Sequence, residues 1–145
     1  MIILDATILV YAVGDVHQLR QPSRSLLELV RDGQVRAGTT VEVVQEFARV
    51  RSRRRPRAEA AQRAREYVQG LSPLLVVEQD DLWDGLNLFE SLDDLGPFDA
   101  VLAAIALRRG FALASADRSF AQVPGLVYLD PSSPAFLQEV RAAES

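Results

Sequence analysis

The chain has 145 residues, 48% of them hydrophobic, enough for one core and a single domain over 1–145, and no apolar run approaches the roughly 20 residues of a membrane-spanning helix. There is no cysteine, no lysine and one histidine, His17, which excludes disulfides, thiolate metal sites, cysteine nucleophiles and lysine-dependent chemistry, and argues against histidine-bound zinc or a Ser-His-Asp triad. The net charge of −4 hides a division that bears on partners: residues 49–65 carry eight arginines against one acid, +7, and the remainder eight against nineteen, −11.

In chain order, Ile2 to Asp5 reads as a central strand, apolar on both faces, and not as a secretory signal, because an acid comes at once. Together with the missing cysteines this fits the cytoplasm. Ile8 to Val13 continues into a turn or helix, and His17 falls in a polar connection at the surface. Pro22 to Asp32 reads as a helix with Leu26, Leu27 and Val30 as its stripe, stopped by Gly33. Val35 to Gly38 is a short strand. Thr39-Thr40 opens a helix to about Arg53; Pro56 breaks the pattern, and Arg57 to Gln69 resumes it as a helical hairpin ended by Gly70.

Leu74 to Val77 is predicted as a strand, and Asp80 to Leu92 as a helix with Leu82, Leu86 and Phe89 on one side and Asp80, Asp81 and Asp84 on an exposed face. Asp93 and Asp94 belong to a solvated turn before Pro97. Asp99 to Arg109 is so rich in alanine and aliphatics that the helix should be largely buried. Phe111 to Ala114 and Leu126 to Leu129 are two more strands, and a last helix starts near Ser133 or Pro134 and frays toward Glu144 and Ser145. Short strands alternating with helices predict an α/β fold: a three-layer α/β/α sandwich around a mainly parallel five-stranded sheet. In such sheets ligands bind beyond the carboxyl ends of the strands.

That rule selects the acids. Asp5 ends the first strand; it could cap the adjoining turn, but a carboxylate there suffers desolvation unless paired or metal-bound. Glu42 fits a capping box with Thr39-Thr40, so Glu46, one turn deeper beside Val43 and Val50 and with no obvious basic partner there, although Arg49 stands three residues on, is the preferred candidate and Glu42 the alternate. Asp99 opens the buried helix; it favours the helix dipole there in any case, and it also faces the sheet's end. Asp117 comes after the strand ending at Ala114; it could N-cap a turn toward Phe120, but its position beyond a strand end favours function. Four carboxylates in one pocket repel, and a divalent cation resolves the repulsion. Oxygen-only donors suit Mg²⁺, with Mn²⁺ next, and such a cation lowers the pKa of bound water and stabilises charge on a phosphoryl group. Thr7 and Ser115 can orient that water.

The segments Gly96-Pro97-Phe98-Asp99-Ala100-Val101-Leu102-Ala103-Ala104 and Ala114-Ser115-Ala116-Asp117-Arg118-Ser119-Phe120, behind an acid-terminated first strand and a helical glutamate, resemble the PIN domain, and within it the VapC toxins of VapBC toxin–antitoxin pairs. The likeness extends to Val123-Pro124-Gly125-Leu126 and covers nearly the whole chain. It implies Asp5, Glu46, Asp99 and Asp117 as the acidic quartet that binds metal and catalyses, Mg²⁺-dependent endonucleolytic cleavage of RNA, inhibition by a cognate VapB-like antitoxin, and homodimers. One departure is Ala6, where many members carry a hydroxyl; Thr7 matches the next polar position. Arg49, Arg53, Arg54 and Arg55 would grip RNA phosphates, although a solvated face or an acidic antitoxin segment competes for the same charge. A phosphatase or phosphoacceptor on a similar sheet is disfavoured, because it needs a lysine and a second aspartate where Thr7 stands. The remaining alternative is a non-cutting PIN-like scaffold that binds RNA or a protein.

Overall fold

The computed structural model describes residues 1–144. Four strands, β1 (Ile2–Leu4), β2 (Ala37–Gly38), β3 (Ala112–Ala114) and β4 (Tyr128–Leu129), form a sheet of order β2-β1-β3-β4 in which every pairing is parallel. Helices α1 (Ala6–Val13), α2 (Arg20–Arg31), α3 (Val41–Arg51), α4 (Arg57–Leu71), α5 (Gln79–Ser91), α6 (Pro97–Arg109) and α7 (Phe136–Glu144) flank it. All three residues of β1 and of β3 are buried, so neither face of the sheet's centre meets water, which accounts for the unbroken apolar runs. The chain leaves β1 for β2 on one side and returns to β3 on the other. The carboxyl end of β1 therefore lies at the point where the strand order reverses.

The sheet has four strands rather than the expected five. Leu74 to Val77 contributes one isolated bridge, Leu75 to Thr40, with the Leu75 N–H donating to the Thr39 carbonyl at 2.8 Å. Its neighbour β2 is only two residues long and gives way at once to the N-cap of α3, so no longer ladder is available. The Val76 carbonyl instead accepts from Arg109, and the Val76 side chain is exposed. The end of α7 is also better held than expected: Arg36 donates to Glu144 at 2.6 Å. The fraying expected at Ser145 lies outside the described residues.

The larger departure is which face α5 buries. Asp81, expected on the exposed face, is 1% exposed, whereas Leu82, Leu86 and Phe89 are each close to half exposed. The reason is the approach of α6. A Cβ on Gly85 would stand 2.7 Å from the Val101 Cα, so only glycine lets the two helices pack so closely. Asp81 lies one turn before Gly85 on that row. Its charge is met by Arg108 at 3.1 Å and Arg109 at 3.3 Å, and its carboxylate also accepts from the Glu78 N–H in a capping box. At the other end α6 stops at Gly110, whose φ of 67° lies in the left-handed region that glycine tolerates.

Candidate active site

Four separated stretches of chain supply the site. The β1 end is fixed by backbone: the Asp5 N–H donates to the Ala114 carbonyl at 3.0 Å, and the Thr39 hydroxyl donates to the Leu4 carbonyl at 2.7 Å. Asp5 takes the N-cap position of α1 but makes no side-chain cap hydrogen bond, so the capping role does not account for its carboxylate. One oxygen instead accepts from the Ser115 hydroxyl at 2.6 Å and the Thr7 hydroxyl at 3.0 Å. Those hydroxyls lie 3.2 Å apart, Ala116 N–H donates to Thr7 and Asp117 N–H to Ser115, each at 2.9 Å. Thr7 and Ser115 thus tie the β1 turn to the β3 turn through Asp5. Tyr128, not singled out by its period-2 strand pattern, completes the knot by donating its hydroxyl to the Ser115 carbonyl at 2.9 Å.

Asp5 is 7% exposed. Burial pushes its carboxyl above the usual range, against the opposing help of the Ser115 hydroxyl, then the Ala6 amide, then the hydroxyl and amide of Thr7. Asp99 stands third in α6, behind Pro97 at the first helical position, and is partly buried. Its carboxyl is pushed up to about 7, first by desolvation, then by the charges of Asp5 and Asp117, with Asp117 within hydrogen-bonding reach, and last by Glu46. All four acids named from the sequence are therefore electrostatically coupled. The groups that shift Asp5 and Asp99 are hydroxyls, amides and other carboxylates, not arginines.

Asp117 has two roles at once. It caps the 3-10 turn Arg118–Gln122, accepting from the Ser119 N–H at 2.9 Å, and its charge bears on Asp99. Glu46 does have a basic partner, the arginine three residues on that the sequence places within reach. Arg49, one turn on in α3, donates to both its oxygens at 2.6 and 2.8 Å and holds its carboxyl below the usual range. Glu42 does not close a capping box: Thr40 is the N-cap and accepts from Val43 N–H, which puts Glu42 one position too early, exposed to solvent.

Oxygen donors alone surround this point, with excess negative charge and two carboxyls resisting ionisation. That chemistry fits a hard divalent cation. Among the described residues no three acidic or histidine side chains already stand as a closed cation cage. The donors are coupled rather than collapsed on one point, as mutual repulsion requires. Asp5, Asp99, Asp117 and Glu46 are the carboxylates whose charges meet here.

Much of the arginine segment is already neutralised. Arg49 is paired with Glu46, Arg51 with Glu59, Arg55 with Asp15, and Arg63 with Glu59 and Glu66. The side chains of Arg53 and Arg54 make no hydrogen bond or ion pair to any described residue, and both line a groove of about 360 Å³ with Thr7, Tyr11 and Glu46. Of the four arginines expected to meet phosphate, only Arg53 and Arg54 hold no ion pair among the described residues, and the charge of Arg53 still bears on Glu46. Tyr11 in this lining was not singled out by the sequence, since a tyrosine in an apolar stretch reads as core. Among the described residues no helix is long and apolar enough to cross a membrane.

Comparison with known proteins agrees with this geometry. The PIN-domain family model matches residues 2–126. Ribonuclease VapC7 of Mycobacterium tuberculosis (strain ATCC 25618 / H37Rv) is 43% identical over 138 residues, covering 92% of this chain and 93% of that one. Ribonuclease VapC23 of the same species is 33% identical over 112 residues, 76% of this chain and 86% of its own length. Among solved structures, VapBC2 from Rickettsia felis bound to a promoter DNA fragment aligns with a TM-score of 0.71 at 18% identity, over 90% of this chain and 98% of that one. A toxin–antitoxin complex from Klebsiella pneumoniae aligns with a TM-score of 0.70 at 18% identity, over 92% and 99%. With its strand order, its acids gathered beyond β1 and β3 and a family match over most of its length, the chain belongs to the PIN-domain family and is a relative of the VapC ribonucleases.

Proposed function

We propose that this protein is an endoribonuclease, the toxin of a type II toxin–antitoxin pair, and that it hydrolyses RNA phosphodiester bonds with Mg²⁺, or Mn²⁺, held by Asp5, Asp99, Asp117 and Glu46. The observation that carries the reading is the gathering of Asp99 with Asp5 and Asp117 beyond the strand ends, where burial first and then the neighbouring carboxylates push the Asp99 carboxyl up to about 7, while Glu46 alone of the four is paired, with Arg49. A cluster paired only for stability does not leave its acids in that state. Bound there, a divalent cation supplies Lewis acidity and a nucleophile at neutral pH.

The chain's own residues set the rest. Ser115 and Thr7 fix one oxygen of Asp5 and leave the other uncommitted by side-chain hydrogen bonds. Asp99, which resists ionisation while no cation is bound, would be held as a carboxylate once one is, so cation binding and loss of its proton go together. Arg53 and Arg54 offer positive charge to the RNA backbone along the adjoining groove. The names of the solved relatives support a VapB-like antitoxin as partner, and the half-exposed apolar side of α5, with Leu82, Leu86 and Phe89, supports a homodimer. A cytoplasmic, single-domain protein accommodates all of this.

The test is purified protein with labelled RNA in Mg²⁺ or EDTA. Cleavage in Mg²⁺ alone is expected. Equal cleavage in EDTA removes the metal from the proposal, and no cleavage of any RNA leaves a non-cutting scaffold.

A further inference from the structure

The groove beside the acids has a feature that phosphate binding does not use. Its wall includes half-buried Val10, Tyr11 and Val50, together with Glu46 and the exposed Arg53 and Arg54. The Tyr11 ring stacks on His17, with centroids 4.7 Å apart and planes 29° from parallel. His17 is exposed, yet its ring is anchored, because Nδ1 accepts from the Leu19 N–H at 3.1 Å. A polar connection has therefore been used to back an aromatic side chain that lines a cavity. Thr7 lines the same cavity and bonds Asp5, so the groove is continuous with the acidic cluster.

We infer that this groove is a nucleotide subsite, in which Tyr11, stiffened by His17, stacks an unpaired RNA base while Arg53 and Arg54 hold an adjoining phosphate. The inference rests on the ribonuclease reading and deepens it by naming the substrate as single-stranded at this position. A base in a duplex has no free face to offer an aromatic wall, whereas an unpaired one does. An acidic peptide would account for the two arginines but gives the aromatic pair no ligand. Stacking is tolerant of base identity, so the subsite selects for an unpaired nucleotide more than for a sequence.

Binding separates this from cleavage. The Asp5→Asn chain is titrated with a short, labelled single-stranded RNA in which each base in turn is replaced by an abasic ribose. One position is expected at which losing the base weakens binding about tenfold. There, Tyr11→Ala costs a similar factor on the intact RNA and little more on the abasic one, the non-additivity of partners in contact. Tyr11→Phe keeps the coupling. His17→Ala, at an exposed position, gives a smaller loss at the same nucleotide and serves if Tyr11→Ala does not fold. Arg53→Ala and Arg54→Ala each reduce the salt slope by about 0.7.

Additive losses at every position, or a Tyr11→Ala chain that binds as before, overturn the subsite while leaving wild-type cleavage intact. Binding of an oligo-glutamate peptide in place of RNA makes the groove a peptide site and overturns it too. RNA neither bound by this chain nor cut by the wild type removes the ribonuclease reading with it.

Discussion

Asp81 and Asp5 are both buried in this protein, and the molecule treats them in opposite ways. Asp81, between α5 and α6, is 1% exposed and receives two arginines and a backbone N–H. Asp5, beyond β1, is 7% exposed and receives two hydroxyls, with Asp99, Asp117 and Glu46 for company. Burial costs each carboxylate its hydration. At Asp81 opposite charge returns that cost locally, and the helices are locked together. At Asp5 no opposite charge returns it, and the hydroxyls of Ser115 and Thr7 offset only part. Burial of an acid is therefore a poor guide to function by itself; the sign of its neighbours decides.

Substitutions at the two aspartates test the contrast directly. Asp5→Asn should lower RNA cleavage by about 10²–10⁴-fold while leaving the fold intact by circular dichroism, and full residual activity would remove Asp5 from the site. Asp81→Asn should do the reverse. It leaves Arg109 under-paired and should cost about 2 kcal/mol in urea unfolding, with activity per folded molecule unchanged. A wild-type unfolding midpoint for Asp81→Asn would mean that the ion pairs are idle.

Asp99 gives a smaller effect of distinctive sign. Its carboxyl titrates near 7 in the fold against 3.8 when unperturbed, so without metal the native state binds the extra proton between these values. Its contribution to stability is complete below about pH 4 and is lost as pH rises through 7. Asp99→Asn should therefore stabilise the metal-free protein at pH 7.5 by about 1–2 kcal/mol, after discounting for partial exposure, and by almost nothing at pH 4. Thermal unfolding at the two pH values reads this; equal effects at both would show that the cost of ionising Asp99, from burial first and like charge second, is not the cause. The smallest effect belongs to Arg49, which competes with any cation for Glu46. Arg49→Ala should tighten Mg²⁺ binding about two- to fivefold by calorimetry if Glu46 is a ligand, since exposed pairs are worth at most about 1 kcal/mol. Unchanged affinity would place Glu46 outside the metal's contacts.

The strand-ending acids and the alternation of strand and helix were legible from the sequence because each rests on a local rule. Apolar runs of three or four residues bury both faces of a central strand, and the first polar residues after such a strand emerge at the carboxyl edge of a parallel sheet. Asp5, Ser115 and Asp117 are close in sequence to the strands that place them, so sequence position nearly fixes their location. Asp99 was legible for a similar reason, as the start of a helix too apolar to be anywhere but inside.

Partnership was decided by the tertiary structure alone. Nothing near Asp81 in the sequence announces that Arg108 and Arg109, a helix away, will meet it. The close approach at Gly85 is a property of two backbones together. Leu74 to Val77 has the residues of a strand, but a ladder needs a neighbour of equal length, and β2 ends after two residues. The arginine segment does carry +7, yet Asp15, forty residues before Arg55, and Glu46 from just outside the window cancel part of it. Composition fixes how much charge a chain carries; only folding assigns each charge its neighbour, because the energy of an ion pair depends on distance in space.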